Sequence, residues 1–581
     1  MLVVNKAGLI LCLFVYLYGR FIDVRLFSHC IENNDTHYLR EKVKFIIFDN
    51  FLTGSDGKSI LDILKNELGM PKENIYFLDD NIVEYSQDTL LLPILIRHVT
   101  ESDNNFDWFF ILNSNTRFDH VSLNQMLYKM NSEQIQYEKL QNIDSNVNIK
   151  SPNNNYIGAK INDDTPSIVH HYNLDKTLNY PFIHSGYLIR KYAIESLSVS
   201  INSKSSANRY KSKIFTDVHY ELSRFLNEEI SINLKDVPEF CITLSDTNPK
   251  YHKKNSVVPK KCITWSISQR ISHNCVSFSL PIYEYKKKSL NIVDPETVVI
   301  AVKTTKDYHH TRVKQICKLW ADSSIYLNYD SIHSNKYCSD YANNVKTILD
   351  RYKGKNINLE FLSDYGENIN GKIDIIDLNV ENQTSGHCSK LYSIVHYLYK
   401  KYYNSVKNIE YYVIVDDDTL LVPFSLLNSL NYVQNYYFDY NDSGKYDRNS
   451  YLYMGLRYSL GSITENWSID YITGGGGIVI NSRALHKLAS CKECICNSPN
   501  EPDDMALGRW FRYLKIRATN FFGFNQAEPS NYHSYYNYYS HITSFHKLGT
   551  TLNEISQKYN QFFELLYPHA NIDTSNKHEE L

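Results

Sequence analysis

The stretch that decides the fold runs YYVIVDDDT from Tyr411 to Thr419, five apolar or aromatic residues followed by Asp416, Asp417 and Asp418. An unbroken run of this composition predicts a buried strand. In open α/β sheets, ligands bind beyond the carboxyl ends of such strands, where carboxylate oxygens suit Mg²⁺ or Mn²⁺ that bridges a diphosphate. The alternative is an acidic turn that caps the next helix.

The first half of the chain repeats this pattern without the charges. Its run WFFILNSNT carries Asn113, Ser114 and Asn115 where the second half carries the three aspartates. Similar helical segments follow both runs, SLNQML in the first half and SLLNSL in the second. Because neutral side chains do not neutralise a dication, we predict no metal site of this kind in the first half, which then serves as scaffold or acceptor-binding region.

Two further segments recur in the same order. HSGYLIRKYAIESL from His184 parallels TGGGGIVINSRALHKL from Thr473, and TDVHYELSRFL from Thr216 parallels PDDMALGRWFRYL from Pro502. Strands alternate with helices in each half, which favours two tandem Rossmann-like α/β domains with mainly parallel sheets, the first domain degenerate. The predicted ranges are 40–250 for the first domain, 251–289 for a linker and 290–570 for the second domain.

Other signals in the second half point to a phosphate-containing ligand. The run VVIAV predicts a buried strand, and the connection after it holds Thr304 and Arg312, where backbone N–H groups and a guanidinium can meet a phosphate or nucleobase. A surface helix charge is the alternative for Arg312. The glycine run with Gly474, Gly475 and Gly476 either allows close backbone approach to a sugar or phosphate or forms a plain flexible turn.

A PDDM sequence opens the last of these segments, with Asp503 and Asp504 in the first turn of a predicted helix. These carboxylates either cap the helix and interact with its dipole or supply a general base that is directed into the cleft. Each motif is weak by itself, whereas their order along the chain is specific.

Six segments together resemble the Fringe-type inverting glycosyltransferases: VKTTKDYHHTRVKQICKLW, SGHCSKLYSIVHYLYK, YYVIVDDDT, YITGGGGIVINSRAL, PDDMALG and TSFHK. The resemblance covers about residues 296–550 well and the first half weakly. Within the family it is strongest to the branch that adds β-1,3-linked glucose to O-linked fucose on thrombospondin type 1 repeats. It implies GT-A folds, UDP-glucose as the donor, and Mn²⁺ or Mg²⁺ as the metal.

The resemblance also implies roles for single residues. By position, Asp418 matches the metal-binding last aspartate of the triad, Asp417 the neighbour that contacts the donor, and Arg312 an arginine of the donor pocket, which Thr304 and the glycine run complete. Asp504 matches the catalytic base, and Asp503 is its possible substitute.

One metal ligand departs from the family pattern. Fringe enzymes carry a metal-binding histidine soon after the PDD helix, where this chain reads FNQA over 524–527. His546, in the Ser-Phe-His segment that related enzymes share, is the expected replacement, and His541 is a weaker candidate. The expected ligand set is therefore Asp418, Asp416 and His546.

The two ends of the chain indicate a protein of the secretory route. Lys6 and the apolar run 7–18 are typical of a signal peptide over residues 1–20, with an uncleaved signal-anchor as the alternative. The tail over 571–581 ends His-Glu-Glu-Leu, one residue from an H-D-E-L retention signal. We therefore expect a soluble protein of the endoplasmic-reticulum lumen, and a type II protein of the ER or Golgi membrane is the alternative.

Cysteine usage fits an oxidising lumen. Of 11 cysteines, one lies in the predicted signal, and the remaining even number indicates disulfides whose pairing stays open. Zinc is the alternative for the cluster Cys491, Cys494 and Cys496, although no second ligand pair stands at the usual spacing. Sequons for N-glycosylation, which fit the same compartment, stand at Asn34, Asn382, Asn441 and Asn466.

Composition narrows the class of function. Lys and Arg number 61 against 64 Asp and Glu, and a net charge of −3 argues against a dedicated nucleic-acid binder. A chain of 581 residues with 43% hydrophobic residues has room for two to four globular domains. Most of the 48 tyrosines have no assigned role, apart from sugar stacking by some of those in 532–539.

Two rival functions remain open from sequence. The first is a Fringe-like transferase that uses UDP-GlcNAc or UDP-galactose, since no motif selects the sugar. The second is a non-catalytic lumenal factor that binds or inspects glycoproteins. The intact DDD and PDD motifs argue against the second, because a pseudoenzyme usually loses them.

Overall fold

The computed structural model contains one large mixed β-sheet in each half of the chain, with helices packed against both. It describes residues 36–48, 60–78, 91–101, 106–113, 116–143, 154–163, 178–202, 218–241, 262–266, 292–321, 351–352, 354–383, 385–403, 408–434, 451–460, 469–521, 523–532 and 542–547.

The described part of the first half contains eleven strands and five main helices. The strands are β1 (Val43–Phe48), β2 (Ile75–Leu78), β3 (Trp108–Asn113), β4 (Thr116–Phe118), β5 (Tyr156–Gly158), β6 (Lys160–Ile161), β7 (Tyr180–Pro181), β8 (Tyr187–Arg190), β9 (Lys235–Asp236), β10 (Phe240–Cys241) and β11 (Thr264–Ser266). The helices are α1 (His37–Lys42), α2 (Leu91–Glu101), α3 (His120–Ile143), α4 (Lys191–Ile201) and α5 (Val218–Ile230). Short helical turns cover Ile60–Asp62, Ile63–Glu67, Lys72–Asn74 and Ile183–Ser185.

The described part of the second half contains thirteen strands and four main helices. The strands are β12 (Val298–Lys303), β13 (Asn358–Ser363), β14 (Glu367–Ile369), β15 (Ile373–Asp377), β16 (Tyr411–Asp416), β17 (Leu420–Leu421), β18 (Tyr453–Gly455), β19 (Arg457–Leu460), β20 (Ile469–Ile472), β21 (Ile478–Asn481), β22 (Thr519–Asn520), β23 (Phe524–Asn525) and β24 (Ser544–Phe545). The helices are α6 (Cys388–Tyr402), α7 (Pro423–Tyr432), α8 (Ser482–Ala489) and α9 (Asp503–Tyr513). Short helical turns cover Pro295–Thr297, Lys306–Tyr308, His309–Val313, Lys314–Ile316, Cys317–Ala321 and Pro529–Asn531.

The two large sheets share a six-strand order. The first sheet runs β2-β1-β3-β8-β5-β9, and the second runs β13-β12-β16-β21-β18-β22 after its edge strands β14 and β15. Neighbouring strands also pair in the same sense in both sheets: parallel, parallel, antiparallel, antiparallel and parallel. The predicted α/β class is confirmed, and the assignment of both halves to GT-A folds stays a prediction.

The predicted mainly parallel sheet is only partly correct, because both sheets are mixed. Direction reverses where β8 pairs with β3 and where β21 pairs with β16. Alternation of strands and helices along the sequence predicts parallel crossovers. It does not set the direction of the later strands here, because the connection from β16 to β21 is no simple helical crossover: it contains α7 and the strands β17 to β20.

Each large sheet is buried on both faces. Along β12, Val298, Ile300 and Val302 lie in one apolar cluster, while Val299 and Ala301 lie in the cluster on the opposite face. Residues of the first sheet divide between two clusters in the same way. A strand covered on both faces reads as a continuous apolar run, which explains why VVIAV and YYVIV predict strands correctly.

Three disulfides lie within the described residues. Cys241–Cys262 ties residues within the predicted linker to the first half, where β11 pairs with β10 and β4. Cys388–Cys496 ties the start of α6 to the segment before α9, and Cys491–Cys494 closes a short loop beside it. The disulfide prediction is confirmed for these cysteines, and the zinc alternative for the 491–496 cluster is wrong because its sulfurs are already bonded. Cys317 carries a free thiol.

Several predicted features lie outside the described residues: the signal 1–20, the tail 571–581, three of the sequons, His541 and the tyrosines after 532. Tyr532 itself is buried, and its hydroxyl accepts a hydrogen bond from the Ala527 N–H at 3.2 Å, so it packs in the interior. Among the helices of the described ranges, none combines the length and the apolar character needed to cross a membrane.

Candidate active site

The site begins where two neighbouring strands end. Lys303 at the end of β12 lies opposite Asp416 at the end of β16, so that Thr304 and the rest of the aspartate triad leave the sheet at one edge. The Asp416 N–H donates to Thr419 Oγ1 at 3.2 Å, and Thr419 Oγ1 donates to the Gly475 carbonyl at 2.9 Å. The triad therefore forms a turn that is fastened to the glycine run.

Asp417 faces the protein with both carboxylate oxygens. Thr304 Oγ1 donates to its Oδ2 at 2.7 Å, and Arg312 Nη1 donates to its Oδ1 at 2.7 Å. Burial raises the pKa of Asp417 to about 6, against the opposing effect of Arg312 and Thr304. Two residues predicted to contact the donor, Thr304 and Arg312, are thus both bonded to a third, Asp417.

Asp416, Asp418 and His546 form a cluster of metal-ligand type. Nε2 of His546 lies 3.2 Å from Asp418 Oδ1 and 3.9 Å from Asp416 Oδ2. One ligand atom from each of the three residues lies within 4.8 Å of the others, and among the described residues this is the one such cluster. Two carboxylates and an imidazole suit Mn²⁺, so the residues present fit the expected metal.

A contact on the side of the His546 ring away from the carboxylates sets its orientation. Its Nδ1 lies 3.2 Å from the Gln526 carbonyl oxygen, and an Nδ1–H donated there leaves Nε2 as the ligand atom that faces the carboxylates. Burial lowers the pKa of His546, but Asp418 and Asp416 outweigh it and raise the pKa. Burial opposes ionisation of Asp418, while His546 and Arg312 outweigh it and lower the Asp418 pKa.

The position of the His546 ring leaves no room for a side chain at one position of the glycine run. A Cβ on Gly475 would lie 2.2 Å from His546 Nδ1, so a side chain there does not fit. The Gly476 N–H donates to Gln526 Oε1 at 2.9 Å, and the Gly474 N–H donates to Asp504 Oδ2 at 3.3 Å. Of the two alternatives for this run, the structure favours close approach, here to protein side chains on both flanks.

The segment that lacks the family histidine has a different task. Asn525 is buried, and its Nδ2 donates to the carbonyls of Gly523 at 3.1 Å and Ser544 at 3.0 Å. It thereby fastens β23 to β24, the strand that His546 follows directly. The chain thus brings the expected replacement to the aspartates through the segment from which the usual ligand is missing.

Asp503 and Asp504 open α9 beside this cluster. Asp504 Oδ1 accepts the Met505 N–H at 2.8 Å, and the Asp504 N–H donates to Asp503 Oδ1 at 3.0 Å. Burial raises the pKa of Asp504 to about 6, and the charge of Asp503 adds to this effect. A carboxylate with a pKa near the working pH suits a general base.

Three further residues of the site were not among the sequence candidates. Lys303 Nζ lies 2.9 Å from Asp416 Oδ1 and also pairs with Asp503. Lys390 is buried and its Nζ donates to the Thr304 carbonyl at 2.9 Å, and Gln526 contacts both the glycine run and His546. The one signal for the two lysines was a cation beside apolar strand or helix positions, which is too common to select them.

The first half repeats one backbone contact of this site, and its described residues hold no cluster of metal-ligand type. The Asn113 N–H donates to Thr116 Oγ1 at 3.1 Å, as Asp416 does to Thr419. The Asn113 side-chain amide lies 2.6 Å from His184 Nδ1. Ser114 and Asn115 lie outside the described residues.

Comparison with known proteins agrees with this geometry. Residues 332–565 match the family model described as Fringe-like, and β12 and Arg312 precede the matched range. The chain is 27% identical over 397 residues to a β-1,3-glucosyltransferase of Mus musculus, covering 68% of this chain and 63% of that protein. It is 26% identical over 461 residues to a β-1,3-glucosyltransferase of Homo sapiens, covering 79% and 71%.

The match therefore spans less than two thirds of the mouse protein and somewhat more of the human one. The resemblance inferred from the motifs is confirmed. Residues in the second half of the chain thus match the Fringe-like family model, and most of the chain is similar to β-1,3-glucosyltransferases.

Proposed function

We propose that this protein is an inverting glycosyltransferase that moves glucose from UDP-glucose to the 3-hydroxyl of O-linked fucose on thrombospondin type 1 repeats. The observation that carries the proposal is the proximity of a metal-type cluster to a buried acidic pair, with Lys303 in contact with both. The Fringe-like match and the relatives named β-1,3-glucosyltransferase support a glycosyltransferase of this family.

Asp418, His546 and Asp416 are the residues that would hold a divalent cation, Mn²⁺ or Mg²⁺. When bound, such a cation neutralises a diphosphate and makes it a better leaving group. These metal ligands support Mn²⁺ because they combine hard carboxylate oxygens with an imidazole nitrogen.

Asp504 acts as the base in this proposal. It accepts the proton of the acceptor hydroxyl, whose oxygen forms a bond to the anomeric carbon as the bond from that carbon to the UDP oxygen breaks. Attack from the face opposite the leaving group inverts the α-linked donor to a β-linked product without a covalent enzyme intermediate. The proton stays on Asp504 and the negative charge leaves with UDP.

Arg312 and Thr304 hold the donor. The Arg312 guanidinium lies 3.9 Å from the centre of the Tyr308 ring and is bonded to Asp417, so its position is fixed before any ligand binds. A planar, permanently charged group held in this way suits phosphate recognition. Gly474, Gly475 and Gly476 complete the proposed donor site, and the missing side chain of Gly475 leaves room for the His546 ring.

We extend the proposal to the whole chain. The shared strand order and strand sense support a GT-A fold in both halves, with the first as scaffold or acceptor-binding region. The disulfides support an oxidising compartment, and we propose the endoplasmic-reticulum lumen.

A donor screen tests the function. The purified protein is incubated with Mn²⁺, an O-fucosylated thrombospondin-repeat module and UDP-glucose, UDP-galactose or UDP-GlcNAc in separate reactions, and the product is weighed by mass spectrometry. We expect a hexose added from UDP-glucose, and none when the module lacks fucose. Transfer from another donor alone would replace glucose but keep the family reaction, and no transfer from any donor would favour a non-catalytic binding factor.

A further inference from the structure

We infer that Lys303 is a positioning residue that holds the proposed base and a proposed metal ligand in one fixed arrangement. The inference rests on the proposed function and adds a residue to its site. Lys303 ends β12, its side chain is 11% exposed, and its Nζ contacts Asp416 and Asp503, which are 87 residues apart in sequence.

On one side the lysine orients Asp416. The Asp416 Oδ1 lies 2.9 Å from Lys303 Nζ, while Oδ2 points to the metal-type cluster, 3.9 Å from His546 Nε2. Because one oxygen is bonded to the lysine, the other is presented to the cluster in a fixed direction. Lys303 thus acts on the cluster through Asp416.

On the other side the lysine orients the start of α9. Asp503 pairs with Lys303 through Oδ2 and accepts the Asp504 N–H through Oδ1 at 3.0 Å. The backbone of the proposed base is therefore bonded to a carboxylate that the lysine holds. A continuous set of contacts runs from the cluster through Asp416, Lys303 and Asp503 to Asp504.

Charge explains why a cation is needed at this point. The carboxylates of Asp416, Asp503 and Asp504 lie in one largely buried region, where like charges repel more strongly than in water. Lys303 contacts two of the three carboxylates, so its positive charge offsets their mutual repulsion. Both contacts engage its ammonium, which argues against a direct bond to a donor phosphate.

Steady-state kinetics of Lys303→Met, Lys303→Arg and the matched control Lys306→Met test the role. Lys306 lies three residues after the end of the same strand and is exposed, with its Nζ 4.2 Å from the Tyr365 ring centre. We expect Lys303→Met to lower kcat by about 10–100-fold, the usual loss for an outer partner of a site, with the KM for the donor changed by less than about threefold. Lys303→Arg should recover part of kcat, and Lys306→Met should match the wild type.

The pH profile separates positioning from a general loss of structure. Asp504 faces Asp503, Tyr471 and the Gly474 N–H, with Lys303 and His387 nearby. Without the lysine the charge of Asp503 is uncompensated, so the acid limb of kcat/KM should move to higher pH. In the double variant Lys303→Met/Asp503→Asn it should move back. An unchanged kcat and acid limb in Lys303→Met, or a large rise in donor KM alone, would overturn the inference.

Amide hydrogen exchange followed by mass spectrometry tests the same role without substrate or metal. Lys303→Met should speed exchange in residues 503–506 and 416–419, Lys303→Arg less so, and Lys306→Met not at all. No change at either segment in a folded Lys303→Met protein would refute the positioning role. Because this measurement needs no transfer, it tests the positioning role of Lys303 even if the donor screen disproves the proposed function.

Discussion

The two large sheets share strand order and strand direction, yet the residues at the ends of their central strands differ in chemistry. β3 ends at Asn113 and β16 at Asp416, and in both halves a threonine three residues on accepts the backbone N–H of that residue. In the first half the Asn113 side chain contacts His184 and Thr116. In the second half the same turn meets His546, Arg312 and Lys303.

This difference separates what the backbone fold provides, the position of the strand end, from what particular side chains provide, the metal-type chemistry. In both halves a buried strand ends at a residue whose N–H is bonded to a threonine hydroxyl three positions later. A metal-type cluster needs carboxylates at the turn and a partner from a distant segment, here His546, which directly follows β24. We expect substitutions to affect the two turns very differently.

Asp418→Ala should have the largest effect. Removal of a proposed direct ligand should lower both the Mn²⁺ affinity, measured by calorimetry, and kcat. Both losses should exceed the roughly 10–100-fold that is typical when a residue bonded to a metal ligand is removed. Asn113→Ala is the matched control in the first half, and it should leave Mn²⁺ affinity and kcat unchanged. Equal losses from both variants would show that the two turns do not differ in function.

Asp504→Asn should lower kcat by about 10²–10⁴-fold, the range typical of general-base catalysis. Mn²⁺ binding should persist because Asp504 lies outside the metal-type cluster. Near-normal transfer by this variant would leave Asp503 as the base.

Thermal unfolding of the same variant is its control for folding. The pKa of Asp504 is raised in the folded state to about 6, above its unfolded value near 3.8, so the folded state binds the proton more tightly. Stability therefore falls as pH rises from about 4 to about 6, and Asp504→Asn should be more stable than the wild type at pH 7 by about 1–2 kcal/mol. The gain should vanish at pH 4.

Gly475→Ala should lower Mn²⁺ affinity by about 10–100-fold, because the added Cβ would lie 2.2 Å from His546 Nδ1 and displace the ring. Calorimetry measures the affinity. Gly371→Ala is the control, since its Cβ would meet nothing within 4 Å, although its positive φ carries a strain of its own. An unaltered affinity in Gly475→Ala would remove His546 from the ligand set.

The wild-type pH profile should show a smaller effect. As a base, Asp504 must be ionised, and its pKa of about 6 sets the acid limb of kcat/KM. The rate should be near its plateau at pH 7 and about tenfold lower at pH 5. A limb near pH 4 would indicate a base with an ordinary carboxyl pKa.

The smallest effect is expected from adding charge to the first half. Asn113→Asp places a carboxylate at the first-half turn, beside His184. Because the described part of that half offers no cluster of metal-ligand type, calorimetry should still find one Mn²⁺ per chain and kcat should change by less than about threefold. A second bound Mn²⁺ would show that the first turn lost its function through few changes.

Much of the scaffold could be predicted from sequence. Runs of five buried residues, such as those before Asn113 and Asp416, give strands in sheets that are covered on both faces and place polar residues at their ends. The PDD motif opens a helix as predicted. Sheet direction could not be predicted, because pairing between distant strands leaves no local pattern.

The candidate site divides in the same way. Asp416, Asp417 and Asp418 are adjacent in sequence and stand out as a motif, and the family resemblance pointed to His546. Lys303 and Gln526 act through contacts with residues far along the chain, and neither residue type nor spacing distinguishes them from ordinary polar residues. The role of Asn525 could not be predicted from the sequence either, because the absence of a histidine from this segment does not show what the residues there do.

The disulfide Cys388–Cys496 bears on how the protein must be produced. It closes a loop with a sequence separation of 108 and ends seven residues before Asp503, next to the bridge between His387 and Pro502. A cross-link over a loop of this size is worth about 4–5 kcal/mol in the chain-entropy model. Material made in a reducing host would therefore be less stable, and its α9 would be held less firmly, so the proposed activity should be tested on protein made in an oxidising compartment.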